Sequence, residues 1–184
     1  SVRRRINIRV SWNTPNQLRF TTRWGMLLAL DEEGEVIWYY TSDARIAGVH
    51  QLQNGNLFFH HVDFRAIEMD MTGKVIRQFY AEHRPQGSVE GGIAIPAQSL
   101  HHQPHEMPNG NFLALTANAC EIENYYTSET DPDAPRATQL VVGDNIVEFT
   151  PEGEIVWNWN SFDHLDVHRW SYHLMEVYWH NRGF

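Results

Sequence analysis

The chain repeats itself, and the repeat limits what it can fold into more than any other feature. Gly48-Val49-His50-Gln51-Leu52-Gln53-Asn54-Gly55-Asn56-Leu57-Phe58-Phe59 shares a template with His102-Gln103-Pro104-His105-Glu106-Met107-Pro108-Asn109-Gly110-Asn111-Phe112-Leu113. Aligned on Asn-Gly-Asn, His50 falls on His105. Asn-Gly predicts a tight hairpin, read as a type I′ turn with positive φ at both central residues. A second template alternates with the first. Its copies are Leu30-Asp31-Glu32-Glu33-Gly34-Glu35-Val36-Ile37-Trp38, Met69-Asp70-Met71-Thr72-Gly73-Lys74-Val75-Ile76-Arg77 and Phe149-Thr150-Pro151-Glu152-Gly153-Glu154-Ile155-Val156-Trp157. Each is an apolar strand end, a turn closed by glycine, then a β-branched strand. A period of about 40 residues with four short strands per unit predicts the blade of a β-propeller.

The expected class is therefore all-β, with about three four-stranded blades over residues 6–40, 48–80 and 101–160, and a tail over 161–184. In the middle unit the strands are expected at 48–53, 56–61, 64–70 and 74–80. In the third they are expected at 102–107, 111–117, 145–149 and 154–160, with an inserted loop near 121–137. The first unit is expected to use 6–12, 18–24, 26–30 and 35–40. Propellers close with about 4–8 blades. A three-blade arc leaves apolar faces to be covered. Either the chain is one piece of a longer polypeptide, or a second chain or second copy completes the ring.

Composition fits a folded β protein, with 42% hydrophobic and 12% aromatic residues. No apolar run approaches the roughly 18 residues that span a membrane. The net charge of −9, from 14 Lys and Arg against 23 Asp and Glu, argues against a nucleic-acid partner. Arg3-Arg4-Arg5 is the local exception and reads as a solvated end. Cys120 is the only cysteine, so an intrachain disulfide and a multi-thiolate zinc site are both excluded.

Histidine is the unusual residue, with 11 copies, some as neighbours: His60-His61, and His101-His102 with His105. Strand alternation would put His101 and His105 on one face and His102 on the other. The first strand of a blade lines the axial channel, so His50 and His105 are expected to converge there.

The Glu121 to Ala137 stretch reads as an acidic loop. Calcium could be held by Asp131 and Asp133, although no calcium-loop spacing is met and a solvated loop is the preferred reading. Tyr125 and Tyr126 are candidates to pack over an aromatic substrate. The aromatic-rich segment 166–184, with Trp170, Tyr172, Tyr178 and Trp179, is expected to contact the rest of the ring or another chain.

Several segments together resemble the bacterial arylsulfate sulfotransferase family. They are Leu30-Asp31-Glu32-Glu33-Gly34-Glu35-Val36-Ile37-Trp38-Tyr39-Tyr40, His101-His102-Gln103-Pro104-His105-Glu106-Met107-Pro108-Asn109-Gly110-Asn111 and Phe162-Asp163-His164-Leu165-Asp166. Thr127-Ser128-Glu129-Thr130-Asp131-Pro132-Asp133-Ala134-Pro135 and the following Val141-Val142-Gly143-Asp144-Asn145-Ile146-Val147-Glu148-Phe149 resemble it too. The resemblance implies a six-bladed propeller in a periplasmic or secreted setting. It also implies sulfuryl transfer between phenols through a transiently sulfated histidine, with other histidines and an arginine holding the sulfate. Neutral imidazole suits the nucleophile, and cationic groups suit the charge developing on the sulfate oxygens.

The family's nucleophile lies in a later blade near an Asp-Trp-x-His type segment, which is absent here, and Gln103 stands where the family usually has Asp. The chain is thus expected to supply the supporting catalytic residues His50, His102 and His105, with His101, Tyr125 and Tyr126 on the substrate, and to be inactive alone. No cofactor is expected. The alternatives are a metal-dependent lyase or oxygenase, with His50 and His105 binding a transition metal on the axis, and a non-catalytic assembly subunit.

Overall fold

The computed structural model describes residues 19–23, 25–42, 44–128, 131 and 133–169. The strand expected at 6–12, the arginine triplet and the aromatic residues from 170 onward lie outside the described residues.

The fold is all-β, a succession of propeller blades. β1 (Arg19–Arg23), β2 (Met26–Leu30) and β3 (Val36–Thr41) form an antiparallel sheet. β4 (Ile46–Gln51), β5 (Leu57–His61), β6 (Arg65–Met69) and β7 (Val75–Ala81) form an antiparallel meander, to which β8 (Ile93–Ile95) adds in parallel beside β7. β9 (His101–Glu106), β10 (Phe112–Tyr125), β11 (Ala137–Phe149) and β12 (Ile155–Asn160) form a third sheet in sequence order. A one-turn helix, α1 (Ser161–His164), follows, and the Asn160 side chain caps it by accepting from the Phe162 N–H.

Both sequence templates make the same turn, and it is not the type I′ turn expected. In the first template Gly55 N–H donates to Leu52 O at 2.9 Å and Leu52 N–H donates to Asn56 O at 2.8 Å. The pattern recurs at Met107 to Asn111, Asp31 to Glu35, Asp70 to Lys74 and Thr150 to Glu154. In every copy only the glycine takes positive φ, from +85° to +93°. This is the three-residue loop, a type I turn followed by a left-handed glycine in a bulge. Asn54 stays right-handed because its side chain is engaged elsewhere: Oδ1 accepts from Asn56 N–H, and Nδ2 donates to Glu68. In the second template Asp31, Asp70 and Thr150 each accept two downstream backbone N–H groups. That is why the turn of the second template opens on a short polar side chain in each copy.

The chain divides into two compact units, residues 1–116 with 146–158, and residues 117–145 with 159–184. In the first unit the core has two layers, one on each side of the middle blade. Alternate residues of β5 feed them, so all five of its residues are buried. Leu57 and Phe59 join Leu27, Ala29, Ile46, Val49, Ile67 and Met69. Phe58 joins Phe79, Phe112 and Phe149, with ring centroids 4.8–6.1 Å apart. Each ring removed from water contributes about 2–3 kcal/mol, and offset or edge contacts add to that.

In the second unit, β10 and β11 extend well beyond their expected ends. The loop expected over 121–137 starts later than expected: β10 runs on to Tyr125, β11 starts at Ala137, and 126–136 connect them. Close packing of α1 fixes its base, since a Cβ on Gly143 would lie 2.6 Å from Ser161 Oγ.

Candidate functional site

The site is built in the first unit, where β4 meets β9. Two backbone features bring these strands together. Gly48 takes φ +54°, and a Cβ there would lie 2.5 Å from Gln103 Cβ. His102 takes φ +58°, inside a bulge where β9 gains residues against β10. Histidine is among the side chains that tolerate this region better than most. The Gln103 amide donates to Val49 O at 3.4 Å, and Glu106 accepts from Gln53 N–H at 2.8 Å.

The bulge overturns the simple alternation expected of β9. His101 and His102 do not diverge: both line one pocket of about 190 Å³, together with Arg45, Ala47, His60 and Val62. Their rings are 5.1 Å apart at 69°. Arg45 and His60 are the two polar lining residues that sequence reasoning did not single out as site residues. Arg45 immediately precedes β4 and His60 lies on β5, and the two segments join where Val62 N–H donates to Arg45 O at 3.0 Å and Ala47 pairs with His60. The His60-His61 doublet was the available signal.

His60 is buried, and its pKa falls from an ordinary 6.5 to about 4. Burial is the main cause; the Leu100 backbone works against it, and the nearby His101, His61 and His102 add to it. The pocket thus sets one neutral imidazole, Arg45 and two further imidazoles around a small space. An arginine with several imidazole N–H groups suits a tetrahedral anion.

His50 and His105 also meet, with ring centroids 5.4 Å apart at 32°. They do not line that pocket. His50 sits opposite Phe58, two residues along β5 from His60, and packs edge-on against the Phe58 ring at 5.8 Å. Two strand residues correspond to about 6.6 Å, toward the Asn-Gly-Asn turn. Both His50 nitrogens are buried without a hydrogen-bond partner among the described residues. Burial first, and the charge of His105 second, lower its pKa to about 4. Among the described residues no three His, Cys, Asp or Glu side chains are arranged to hold a metal. Asp131 Oδ1 is used locally, accepting from Asp133 N–H.

Tyr125 and Tyr126 belong to the second unit. They line a separate open pocket of about 310 Å³ with Thr127, Ser128, Gln139 and Leu140. Tyr126 donates its hydroxyl to His168 O at 2.9 Å, and the Arg136 guanidinium lies 4.0 Å from its ring centroid.

The arylsulfotransferase family model matches residues 9–181, nearly the whole chain. The chain belongs to the arylsulfotransferase family. This arylsulfotransferase-family chain has no match among curated proteins. Among solved structures it is similar to a protein of unknown function from Bacteroides caccae, at 14% identity and TM-score 0.35 over 82% of this chain and 59% of that one. The Cps50 (Swd1) β-propeller domain from Myceliophteria thermophila is 16% identical with TM-score 0.41, over 86% and 58%. BamB from Moraxella catarrhalis is 14% identical with TM-score 0.30, over 78% and 58%. The arylsulfotransferase-family chain therefore spans less than two thirds of the length of each. Among its described residues no helix is long and apolar enough to cross a membrane.

Proposed function

We propose that this chain supplies the anion-holding half of a sulfuryl-transfer site. The observation that carries the reading is the pocket walled by Arg45, His60, His101 and His102 in a chain of this family. In the reaction an aryl sulfate enters with its sulfate against Arg45 and the His101 and His102 rings. A histidine from blades outside this chain attacks sulfur; the N–S bond forms as the S–O bond to the phenolate breaks. His60, neutral at the pH of the reaction, has one N–H to give to a sulfate oxygen. An acceptor phenol then attacks sulfur and releases the imidazole. Donors fixed before reaction stabilise the charge that builds on the sulfate oxygens.

His50 and His105 support this pocket from β4 and β9, His50 at the level of Phe58, two residues from His60. Tyr125 and Tyr126, in the second unit, offer an aromatic surface of their own to a phenol. The substrate is an aromatic sulfate, the partner is the chain or copy that completes the ring, and the setting is periplasmic or secreted. The test is sulfuryl transfer from 4-nitrophenyl sulfate to a phenol, followed as nitrophenolate release. The ring-complete protein should be active and this chain alone inactive. His102→Ala in the complete protein should lower kcat/KM by about 10²-fold, the loss typical of one preorganised donor. Unchanged kcat/KM would remove the proposed role of this pocket.

A further inference from the structure

A second chemical cluster lies in the first unit, built on the neighbour of His60. Because β5 alternates, His61 faces away from the anion pocket. Its Nδ1 lies 2.5 Å from Asp63 Oδ1 and its Nε2 lies 3.4 Å from Ser42 Oγ. The three residues come from different places: Ser42 from the crossover between β3 and β4, His61 from the end of β5, and Asp63 from the turn into β6. That turn is held by Phe64 at φ +64° and by Phe64 N–H donating to His61 O.

We propose that Ser42, His61 and Asp63 form a relay that makes the Ser42 hydroxyl a nucleophile toward carboxylic esters of phenols, independently of sulfuryl transfer. The order of contacts is hydroxyl, imidazole Nε2, imidazole Nδ1, carboxylate, which is the arrangement that turns serine into a nucleophile on unrelated folds. Asp63 is held ionised: burial pushes its pKa up, but hydrogen bonds from Arg65 and His61 outweigh that and leave it below the ordinary value. Arg65 Nε donates to both Asp63 oxygens at 2.9 Å and Arg84 Nη2 donates at 3.1 Å. In the proposed tautomer the ionised Asp63 accepts the Nδ1–H of His61, at the nitrogen that Arg65 Nη2 also approaches to 3.3 Å, and the Nε2 lone pair faces Ser42. His61 is buried, and Ser42 is half-buried at the end of the relay.

In the step, Ser42 Oγ bonds to the ester carbonyl carbon as its proton passes to His61 Nε2. The bond from that carbon to the phenol oxygen then breaks, and His61 returns the proton to the departing oxygen. The negative charge gathers on the carbonyl oxygen; in the resting structure the Ala44 N–H donates to Ser42 Oγ at 3.4 Å and so holds the hydroxyl in place. Water releases the acyl group by the same route in reverse.

The experiment is covalent labelling of the folded protein with a fluorophosphonate, in which the Oγ–P bond forms, the P–F bond breaks and fluoride leaves. Labelled serines are located by peptide mass spectrometry. Ser128 and Ser161, also half-buried, are internal controls. Ser42 should label about 10²-fold faster than either, as a positioned base provides, and heat denaturation should abolish the difference. His61→Gln should bring Ser42 to the control rate while circular dichroism shows the fold retained. Ser42 labelling no faster than Ser128 and Ser161, or at an undiminished rate in folded His61→Gln, overturns the proposal. If His61→Gln does not fold, the comparison among serines of the unaltered protein decides by itself.

Discussion

Gly48 and Gln103 touch so closely that no other residue fits at position 48, because a Cβ there would lie 2.5 Å from Gln103 Cβ and 2.8 Å from its Cα. Gly48→Ala is expected to destabilise the protein by about 2–4 kcal/mol, combining overpacking with a left-handed φ. Gly55→Ala shares the positive φ but has nothing within 4 Å, so about 1–2 kcal/mol is expected. Urea unfolding of the two variants checks the difference, and equal losses would mean that the strand contact contributes nothing.

Glu68 is an anchor inside the middle blade. Its Oε1 accepts from Asn54 and Asn56 at 2.8 and 2.7 Å, and Oε2 pairs with Arg77 at 2.5 Å. Burial alone would raise its pKa; the two amides and the guanidinium outweigh it. Glu68→Ala should cost about 2–4 kcal/mol by stranding these donors. Glu148 holds Asn109 and Asn111 in the same way but has Trp157 where Glu68 has Arg77, and its surroundings are open. Glu148→Ala should cost less in the same unfolding assay.

Stability should fall on mild acidification. His50 and His60 hold pKa values of about 4 in the folded protein against 6.5 ordinarily. Lowered histidine pKa values mean that the unfolded chain takes up protons first. Nothing is lost above about pH 6.5; stability declines as pH drops toward 4 and levels off below it. With partial exposure discounted, the slope is about 1–2 kcal/mol per pH unit for the pair. Calorimetric Tm values from pH 7.5 to 4.5 check this, and His60→Asn should flatten the profile.

Arg45 is exposed at the pocket rim and makes no ion pair among the described residues. Arg45→Ala should weaken binding of 4-nitrophenyl sulfate about 10-fold and reduce its salt dependence, while Arg45→Lys keeps most of the latter. Calorimetric titration at two salt concentrations reads both. Unchanged affinity in Arg45→Ala would take the arginine out of the site.

The strands of the middle blade were legible because glycine-closed turns and β-branched runs are local signals. β8 was not, since Ile93-Ala94-Ile95 gains strand character only by lying parallel to Phe79-Tyr80-Ala81. The strands of the outer hairpin were drawn too short because beyond Thr116 the alternation is only between half-buried and exposed residues, as at Cys120, Glu121, Ile122 and Glu123, with no fully buried residue to mark a core face. The turn type was missed because Asn-Gly suits either a two-residue or a three-residue loop, and the Glu68 contact that decides it is 12 to 14 residues away. The His101–His102 pairing was hidden by a bulge that breaks period-two alternation. Arg45 was hidden because only pairing with the end of β5 brings it to His60.

His60 and His61 are adjacent letters on one strand, yet they look into different rooms, one with Arg45 and His101, the other with Ser42 and Asp63. A slip of one residue in the pairing of β5 would exchange the two imidazoles between these rooms and exchange Phe58 for Leu57 and Phe59 in the flanking cores. The alignment of this single five-residue strand is thus checked four times over, so damage to either chemistry should travel to the other through alignment rather than through contact.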